Sequence, residues 1–186
     1  MLFRSIPADR WFAMTALDHN RAKSALAAKA GVSVAEVRHM AIWGNHSSTM
    51  YPDFRNALIA GRPAAEVIAD DAWLEREFTP MVQNRGAAII KARGQSSAAS
   101  AANAVISSVR AVQDGTGDDW MSLAVVSEGQ YGVPEGLFFS YPVTSDGHTH
   151  RVVDGIPHRP EARAALKATT EELIAERDGV ADLVPR

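Results

Sequence analysis

The fold class of this chain is decided by residues 120–156, which read WMSLAVVSEGQYGVPEGLFFSYPVTSDGHTHRVVDGI. Three strand-like runs lie within this stretch: Trp120–Ser127, Leu137–Thr144 and Thr149–Ile156. Turn residues separate these runs, and both connections are short, which is the pattern of an antiparallel meander. We therefore predict an antiparallel sheet in this part of the chain.

The first of these connections, residues 129–136 (GQYGVPEG), has the glycine content of a phosphate-binding loop. A dinucleotide fingerprint requires a helix after the loop, because the N-terminus of that helix faces the pyrophosphate. Pro134 and the apolar residues after it indicate a further strand instead. We interpret the segment as a tight hairpin connection, and no other segment offers a phosphate loop.

Helical patterns surround the predicted sheet. Helices are expected at residues 18–30, 71–93, 96–112 and 161–178. Pro80 is expected to kink or divide the second of them, because proline cannot donate the helical hydrogen bond. The last helix is expected to expose three charged residues, namely Glu171, Glu172 and Arg177.

Two segments between the helices are less regular. Residues 37–43 predict one buried strand that leads into a glycine-bounded loop, and residues 51–61 are expected to be irregular because prolines punctuate them. Helices therefore precede the strands, and one helix follows them. This order favours an α+β fold, with long helices packed on an antiparallel sheet, over a doubly wound parallel sheet.

Composition excludes several classes of function. With 186 residues and 46% hydrophobic content, the chain can form one domain over residues 1–186, with residues 1–7 as a lead-in. The net charge of −3, without a basic stripe, argues against nucleic acid as a partner. The absence of cysteine excludes disulfides and thiolate sites. No apolar stretch approaches the roughly 18 to 20 residues of a membrane span, so we expect no membrane partner and a cytoplasmic location.

The first candidate site is the run Leu17-Asp18-His19-Asn20-Arg21, which places a carboxylate and a guanidinium on one helix face. The planar fork of Arg21 can bind a carboxylate through two parallel hydrogen bonds. The alternative is a surface arginine that pairs with Asp18 and contributes little.

The second candidate site is His46, within Gly44-Asn45-His46-Ser47. Histidine titrates near neutrality, so it can take a proton from an alcohol and return it. A nearby carboxylate, for which Asp18 is the candidate, would select the tautomer and stabilise the imidazolium. The alternative is a structural histidine at the end of a strand.

Weaker candidates lie elsewhere in the chain. Polar residues crowd the start of an alanine-rich helix, where a hydroxyl can contact a ligand or can serve capping and close packing; they are Ser96, Ser97, Ser100 and Asn103. His148 and His150 alternate along a predicted strand, but no carboxylate or third histidine accompanies them. We therefore predict no metal site.

Together these segments resemble the lactate/malate dehydrogenase superfamily, and within it the cytosolic-type malate dehydrogenases. The likeness extends from about Pro7 to near the end of the chain. It rests on five motifs: Leu17–Lys23, Ile42–Thr49 with Tyr51-Pro52-Asp53, Arg85–Ile90, Ser96–Ala104 and Tyr131–Leu137. Asn45 and Ser47, beside the histidine, resemble malate dehydrogenases more than lactate dehydrogenases.

The resemblance implies roles for the candidate residues. His46 would be the proton acceptor and donor, and Asp18 would orient it and balance its charge. Arg21 would bind a carboxylate of malate or oxaloacetate, and Ser97 would contact the ligand region. The resemblance also implies NAD as the cofactor and a homodimer in the full-length enzyme.

The resemblance covers only the C-terminal catalytic domain of such an enzyme. The Rossmann domain, with its glycine fingerprint, ribose-binding acid and mobile loop, has no counterpart in these residues. We therefore expect a fragment, a truncated reading frame or an isolated domain that holds no cofactor-binding residues and is inactive alone. Exposed surface that the missing domain would cover predicts poor solubility. NAD or NADP preference is not encoded in this segment.

An alternative hypothesis is a non-catalytic module that binds a like partner. Its motivation is the helix at residues 96–112, whose small side chains suit close packing across an interface.

Overall fold

The structure, a computed structural model, describes residues 6–183. Residues 1–5 of the predicted lead-in and residues 184–186 lie outside this part. The helices are α1 (Ala16–Ala30), α2 (Ala64–Ile68), α3 (Asp71–Trp73), α4 (Thr79–Arg93), α5 (Ala98–Gln113) and α6 (Pro160–Gly179). The strands are β1 (Val37–Arg38), β2 (Ala41–Trp43), β3 (Tyr51–Asp53), β4 (Leu58–Ile59), β5 (Arg62–Pro63), β6 (Met121–Val126), β7 (Phe138–Ser145) and β8 (His150–Val152).

The predicted meander is confirmed as the sheet β6–β7–β8, in which both strand pairs are antiparallel. Strand β6 pairs with β7 so that Leu123 lies opposite Tyr141. Helix α1 packs against β6, and α5 packs against both β6 and β7. Most side chains of β6 and β7 are consequently buried on both faces. All strand pairs in the described part of the chain are antiparallel, which confirms the α+β fold.

Strand β2 lies between two hydrophobic clusters. Ile42 belongs to a cluster that includes Leu26 and Phe78, whereas its neighbour Trp43 belongs to a cluster built on the main sheet. This division follows from the strand period, because successive side chains point to opposite faces. The residue after β2, Gly44, exchanges two backbone hydrogen bonds with Ser140 of β7. The chain that leaves β2 therefore starts from a fixed position on the sheet.

The prediction of a single strand at residues 37–43 is wrong, because the structure has two strands there, β1 and β2. His39 separates the two strands, with a positive φ of 56°. Its backbone N–H donates to Asp119 Oδ1 at 2.7 Å, and its ring stacks on Trp120. These contacts come from residues far along the chain and turn the backbone out of the strand.

Other boundaries also differ from the prediction. The segment predicted to be irregular contains β3 and β4. Across the helix predicted at residues 71–93 the backbone stays helical, but a π-helical turn, Leu74–Phe78, lies between α3 and α4, and Pro80 lies at the start of α4. Proline has no N–H to donate to the preceding turn, which fits the change in the hydrogen-bond pattern just before it. The connection at residues 129–136 leads into β7, which confirms the hairpin interpretation. Within residues 6–183, no helix combines the length and apolar character needed to span a membrane.

Candidate functional site

Asp18 joins the two sequence motifs. It lies in the first turn of α1 and is 1% exposed. Its Oδ1 accepts a hydrogen bond from Arg21 Nη1 at 3.1 Å, and its Oδ2 is 2.5 Å from His46 Nδ1. The N-terminus of a helix favours a carboxylate, because the peptide dipoles leave partial positive charge there. Two charge-assisted contacts therefore hold the buried carboxylate in one orientation.

His46 lies in the loop that follows β2; residues 44–49 are called the His46 loop below. Its side chain is 61% exposed, so little packing fixes the ring. The hydrogen bond to Asp18 raises the pKa of His46 above 6.5, against partial burial and the positive charge of Arg21, which lower it. Because Nδ1 is engaged by Asp18, Nε2 of the neutral ring is the position that accepts a proton. The arrangement can therefore take up a proton and return it.

Arg21 lies beside an open cavity of about 710 Å³ between α1, α4 and α5. Its side chain is 14% exposed, and Nη1 is the atom that bonds to Asp18. A guanidinium has five N–H donors in a fixed plane, so the pairing with Asp18 orients the fork without using all of it. The structure thus brings Asp18, Arg21 and His46 together.

The polar residues at the start of α5 are divided between two environments. Ser100 and Asn103 line the Arg21 cavity. Ser97 is the N-cap residue of α5 and is 8% exposed, but its hydroxyl makes no capping hydrogen bond. Among the described residues, the cavity wall does not include Ser97. Side-chain capping by Ser97 is therefore not observed, and its contact with a ligand stays a prediction.

Helix α6 contacts the His46 loop, which sequence reasoning missed. Glu172 was expected to be exposed, but it is partly buried and accepts hydrogen bonds from Ser47 Oγ at 2.8 Å and from Thr49 Oγ1. Thr169, which is fully buried, accepts a hydrogen bond from the Asn45 backbone N–H at 3.0 Å. Thr169 and Glu172 are three positions apart and share one helix face, but the sequence carries no signal that this face is buried. The expectation for Glu172 is wrong because this face of α6 meets the loop.

The histidine of the first motif, His19, was also missed. It is 1% exposed, and its Nδ1 lies 2.8 Å from Ser122 Oγ. The same Ser122 Oγ accepts a hydrogen bond from the Ile42 backbone N–H at 2.8 Å. Ser122 Oγ therefore links the ring of His19 to the backbone of β2. Burial lowers the pKa of His19 to about 3, so this ring is neutral near pH 7 and serves packing.

The histidines of the meander are separate from this site. His148 is exposed, and His150 contacts the ring of Phe12 edge-on, with 4.8 Å between ring centroids. Within residues 6–183, no group of three or more metal-ligating side chains is arranged to hold a metal ion.

Comparison with known proteins adds the family context. A family model described as lactate/malate dehydrogenase, alpha/beta C-terminal domain, matches residues 15–184. Among solved structures, a malate dehydrogenase from Naegleria fowleri has 43% identity and a TM-score of 0.90, over 97% of this chain and 56% of that chain. A Trichomonas vaginalis lactate dehydrogenase in complex with NADH and oxamate has 28% identity and a TM-score of 0.90, over 96% of this chain and 56% of that chain.

A malate dehydrogenase from Salinibacter ruber is a further match, with 27% identity and a TM-score of 0.81, over 96% of this chain and 57% of that chain. This chain therefore spans little more than half the length of the solved dehydrogenases that it matches.

Proposed function

Because this chain belongs to the lactate/malate dehydrogenase family and matches the C-terminal domain of that family, we propose that it is the catalytic half of a malate dehydrogenase. The reaction would be the reversible oxidation of malate to oxaloacetate. The observation that carries the proposal is the joint geometry of Asp18, Arg21 and His46, in which one buried carboxylate contacts both a guanidinium and an imidazole.

The chemistry follows from the positions of the atoms. In malate oxidation, Nε2 of His46 takes the proton of the substrate hydroxyl, and Asp18 stabilises the imidazolium that forms. In the reverse direction, the protonated ring returns that proton to the carbonyl oxygen of oxaloacetate. The raised pKa of His46 favours the protonated state that this direction needs. Arg21 binds a carboxylate of either substrate through its planar fork.

We propose malate rather than lactate as the substrate for two reasons. Asn45 and Ser47, which flank the histidine, favour the resemblance to malate dehydrogenases over that to lactate dehydrogenases. The Naegleria fowleri malate dehydrogenase, at 43% identity, is also more similar in sequence than the Trichomonas vaginalis lactate dehydrogenase, at 28%.

NAD is the cofactor that the family implies, and residues 6–183 do not fit it. The glycine-rich connection at residues 129–136 leads into β7 rather than a helix. Gly132 and Gly136 both have a positive φ, which the turn geometry of this connection accounts for. Residues 6–183 therefore offer no dinucleotide-binding loop for NAD. We propose that a nucleotide-binding domain outside them holds it, and that the chain has negligible dehydrogenase activity alone.

The proposal is tested by joining this chain to the part of the Naegleria fowleri enzyme that precedes the matched region; this is the joined protein below. We expect the joined protein to oxidise NADH with oxaloacetate faster than with pyruvate, and the 186-residue chain to show negligible turnover. His46→Asn should abolish the activity, whereas His148→Asn, at an exposed position, should preserve it. A folded joined protein that does not reduce oxaloacetate would overturn the proposal, and ordinary turnover by the chain alone would overturn the requirement for a second domain.

A second candidate function is binding to a like partner without catalysis. The observation in its favour is a row of exposed apolar side chains on α5: Val105, Ile106 and Val109, which are 48%, 52% and 54% exposed. Sedimentation of the purified chain tests it. A dimer that Val109→Asp dissociates would support this function, whereas a compact monomer at all concentrations would count against it.

A further inference from the structure

We propose that Glu172 of α6 is a positioning residue, which holds the His46 loop so that the His46 ring stays on Asp18. The inference rests on the proposed acid–base role of His46. It adds to that role a second point of attachment, on a different helix from Asp18.

The His46 loop needs support from outside, because the His46 side chain is 61% exposed. An exposed ring is not fixed by packing, so hydrogen bonds must hold it. The Asp18 contact fixes one edge of the ring from α1. The backbone that carries the ring is held from α6.

Glu172 provides this support by binding side chains that follow His46 in the loop. Its Oε2 accepts hydrogen bonds from Ser47 Oγ, at 2.8 Å, and from Thr49 Oγ1. The hydrogen bond from Thr49 is the largest cause that lowers the pKa of Glu172. The side chain is therefore an ionised acceptor near pH 7, and bonds to a charged acceptor are stronger than bonds between neutral groups.

The two hydroxyls that Glu172 binds also fix the turn itself. Ser47 Oγ accepts from the Thr49 backbone N–H at 3.1 Å, and Asn45 Nδ2 donates to Thr49 Oγ1 at 3.1 Å. Asn45 Oδ1 in turn accepts from the Ser47 backbone N–H at 3.2 Å. These bonds join residues that lie before and after His46 in the sequence. A displacement of either hydroxyl therefore changes the conformation of the backbone that carries the ring.

Helix α6 also holds the residues before His46. Thr169 Oγ1 accepts from the Asn45 N–H at 3.0 Å. Gly44 approaches Thr169 so closely that a Cβ would clash with Oγ1, and its φ is +97°. Leu166, one turn earlier in α6, is 6% exposed and belongs to the cluster of the main sheet. The loop is therefore attached on both sides of His46 to a helix that the core fixes.

Glu172 acts through position and not through its charge on the ring. The causes that shift the pKa of His46 are the Asp18 hydrogen bond, burial, and the charges of Asp18 and Arg21. The neutral side chain of glutamine retains a carbonyl oxygen that can accept from Ser47 and Thr49. Glu172→Gln should therefore preserve the ring position, whereas Glu172→Ala should release it.

The test is NMR titration of His46 in the 186-residue chain and three variants. In Glu172→Ala we expect the pKa of His46 to fall toward 6.5 and the Nδ1 proton signal to exchange faster with water. Glu172→Gln should match the parent chain. Glu171→Ala, which changes the neighbouring exposed glutamate of α6, is the matched control and should leave His46 unchanged. A merely structural role would lower the melting temperature of Glu172→Ala without moving the pKa of His46, and that result would overturn the inference.

A further variant covers the case in which Glu172→Ala does not fold. Thr49→Val removes a single hydroxyl from a partly buried position and should shift His46 in the same direction by a smaller amount. An unchanged His46 titration in folded Thr49→Val would count against the inference.

Activity separates this inference from the proposed function. In the joined protein, Glu172→Ala should lower kcat by roughly ten- to a hundredfold, because small displacements of reacting groups have effects of this size. KM should change less, since Arg21 binds the substrate carboxylate. An inactive parent enzyme would contradict the proposed function and leave the NMR result intact. An active parent whose Glu172→Ala variant keeps its kcat would contradict only the role of Glu172.

Discussion

One histidine, His19, lies in α1 and another, His46, contacts α1 from a loop, and their surroundings shift their pKa values in opposite directions. His19 is 1% exposed and bonds to a neutral hydroxyl, that of Ser122. His46 has a side chain that is 61% exposed and bonds to the Asp18 carboxylate. Burial lowers the pKa of His19 to about 3, whereas the Asp18 hydrogen bond raises the pKa of His46 above 6.5.

The difference shows that the hydrogen-bond partner of an imidazole and its burial decide whether the ring carries a charge. A neutral partner in a buried site leaves the imidazole uncharged, so it serves packing. A buried carboxylate that bonds to an exposed ring favours the imidazolium, so the ring can exchange protons with its surroundings. Adjacent positions on one helix, Asp18 and His19, therefore contribute to two different kinds of site.

We expect the largest effect from removing the carboxylate of Asp18, which is the partner of His46. In the joined protein, Asp18→Asn should lower kcat/KM by roughly 10²- to 10⁴-fold, because the ring loses both the orienting acceptor and the charge that stabilises the imidazolium. The pKa of His46 should fall at the same time. Kinetics and NMR titration measure the two effects. Asp70→Asn, which removes an exposed pairing with Lys29, is the control and should change neither. An unchanged His46 pKa in Asp18→Asn would break the comparison.

The next largest effect concerns the backbone on which His46 depends. Gly44→Ala places a methyl group against Thr169 at a positive φ, whereas Gly31→Ala meets a similar positive φ with nothing within 4 Å. We expect Gly31→Ala to lower the free energy of unfolding by about 1–2 kcal/mol from strain alone. Gly44→Ala should cost about 2–5 kcal/mol, because overpacking adds to the strain. Urea denaturation measures both. Equal losses in the two variants would mean that the Gly44–Thr169 contact adapts without cost.

The sequence predicts the parts of this arrangement that depend on local spacing. The pairing of Asp18 with Arg21 follows from three residues of separation on a helix. The meander at residues 120–156 follows from alternating strand and turn residues, since neighbouring strands joined by short turns pair with each other. Asp18 and His46 are 28 residues apart, and their contact was expected because both belong to motifs of one family.

The other contacts between distant segments were not predicted, because no local pattern encodes them. Ser47 and Glu172 are separated by 125 residues, and Glu172 has the sequence of an ordinary exposed helix residue. The break at His39 depends on Asp119, which is 80 residues away. The burial of His19 likewise depends on Ser122, which is 103 residues away. In each case, packing between elements decides the outcome.

We expect a smaller effect from removing the hydroxyl of Ser122, which is the partner of His19. Ser122→Ala removes the partner of His19 Nδ1 and of the Ile42 N–H. Two buried polar groups then lack a hydrogen bond, which should lower the free energy of unfolding by about 2–4 kcal/mol. The His46 titration should not change. Ser107→Ala, which removes a hydroxyl bonded within α5, should cost less than about 0.5 kcal/mol. A shift of the His46 pKa in Ser122→Ala would show that the two histidines are coupled.

The smallest expected effect is the dependence of stability on pH. Between pH 6.5 and pH 5, the unfolded chain binds a proton at His19 that the folded chain, with a His19 pKa of about 3, does not bind. Stability should therefore fall as the pH falls. His46 contributes in the opposite sense: its stabilisation is complete below pH 6.5 and is lost as the pH rises through its raised pKa.

The variant His19→Gln isolates the first of these contributions. His158 also has a pKa lowered by burial, so it adds to the slope of both proteins and cancels in their difference. Urea denaturation at several pH values should show the parent chain losing about 1–2 kcal/mol more than His19→Gln over this range, since one proton contributes about 1.4 kcal/mol per pH unit. Equal slopes for the two proteins would mean that His19 is protonated in the folded state, and the contrast with His46 would then fail.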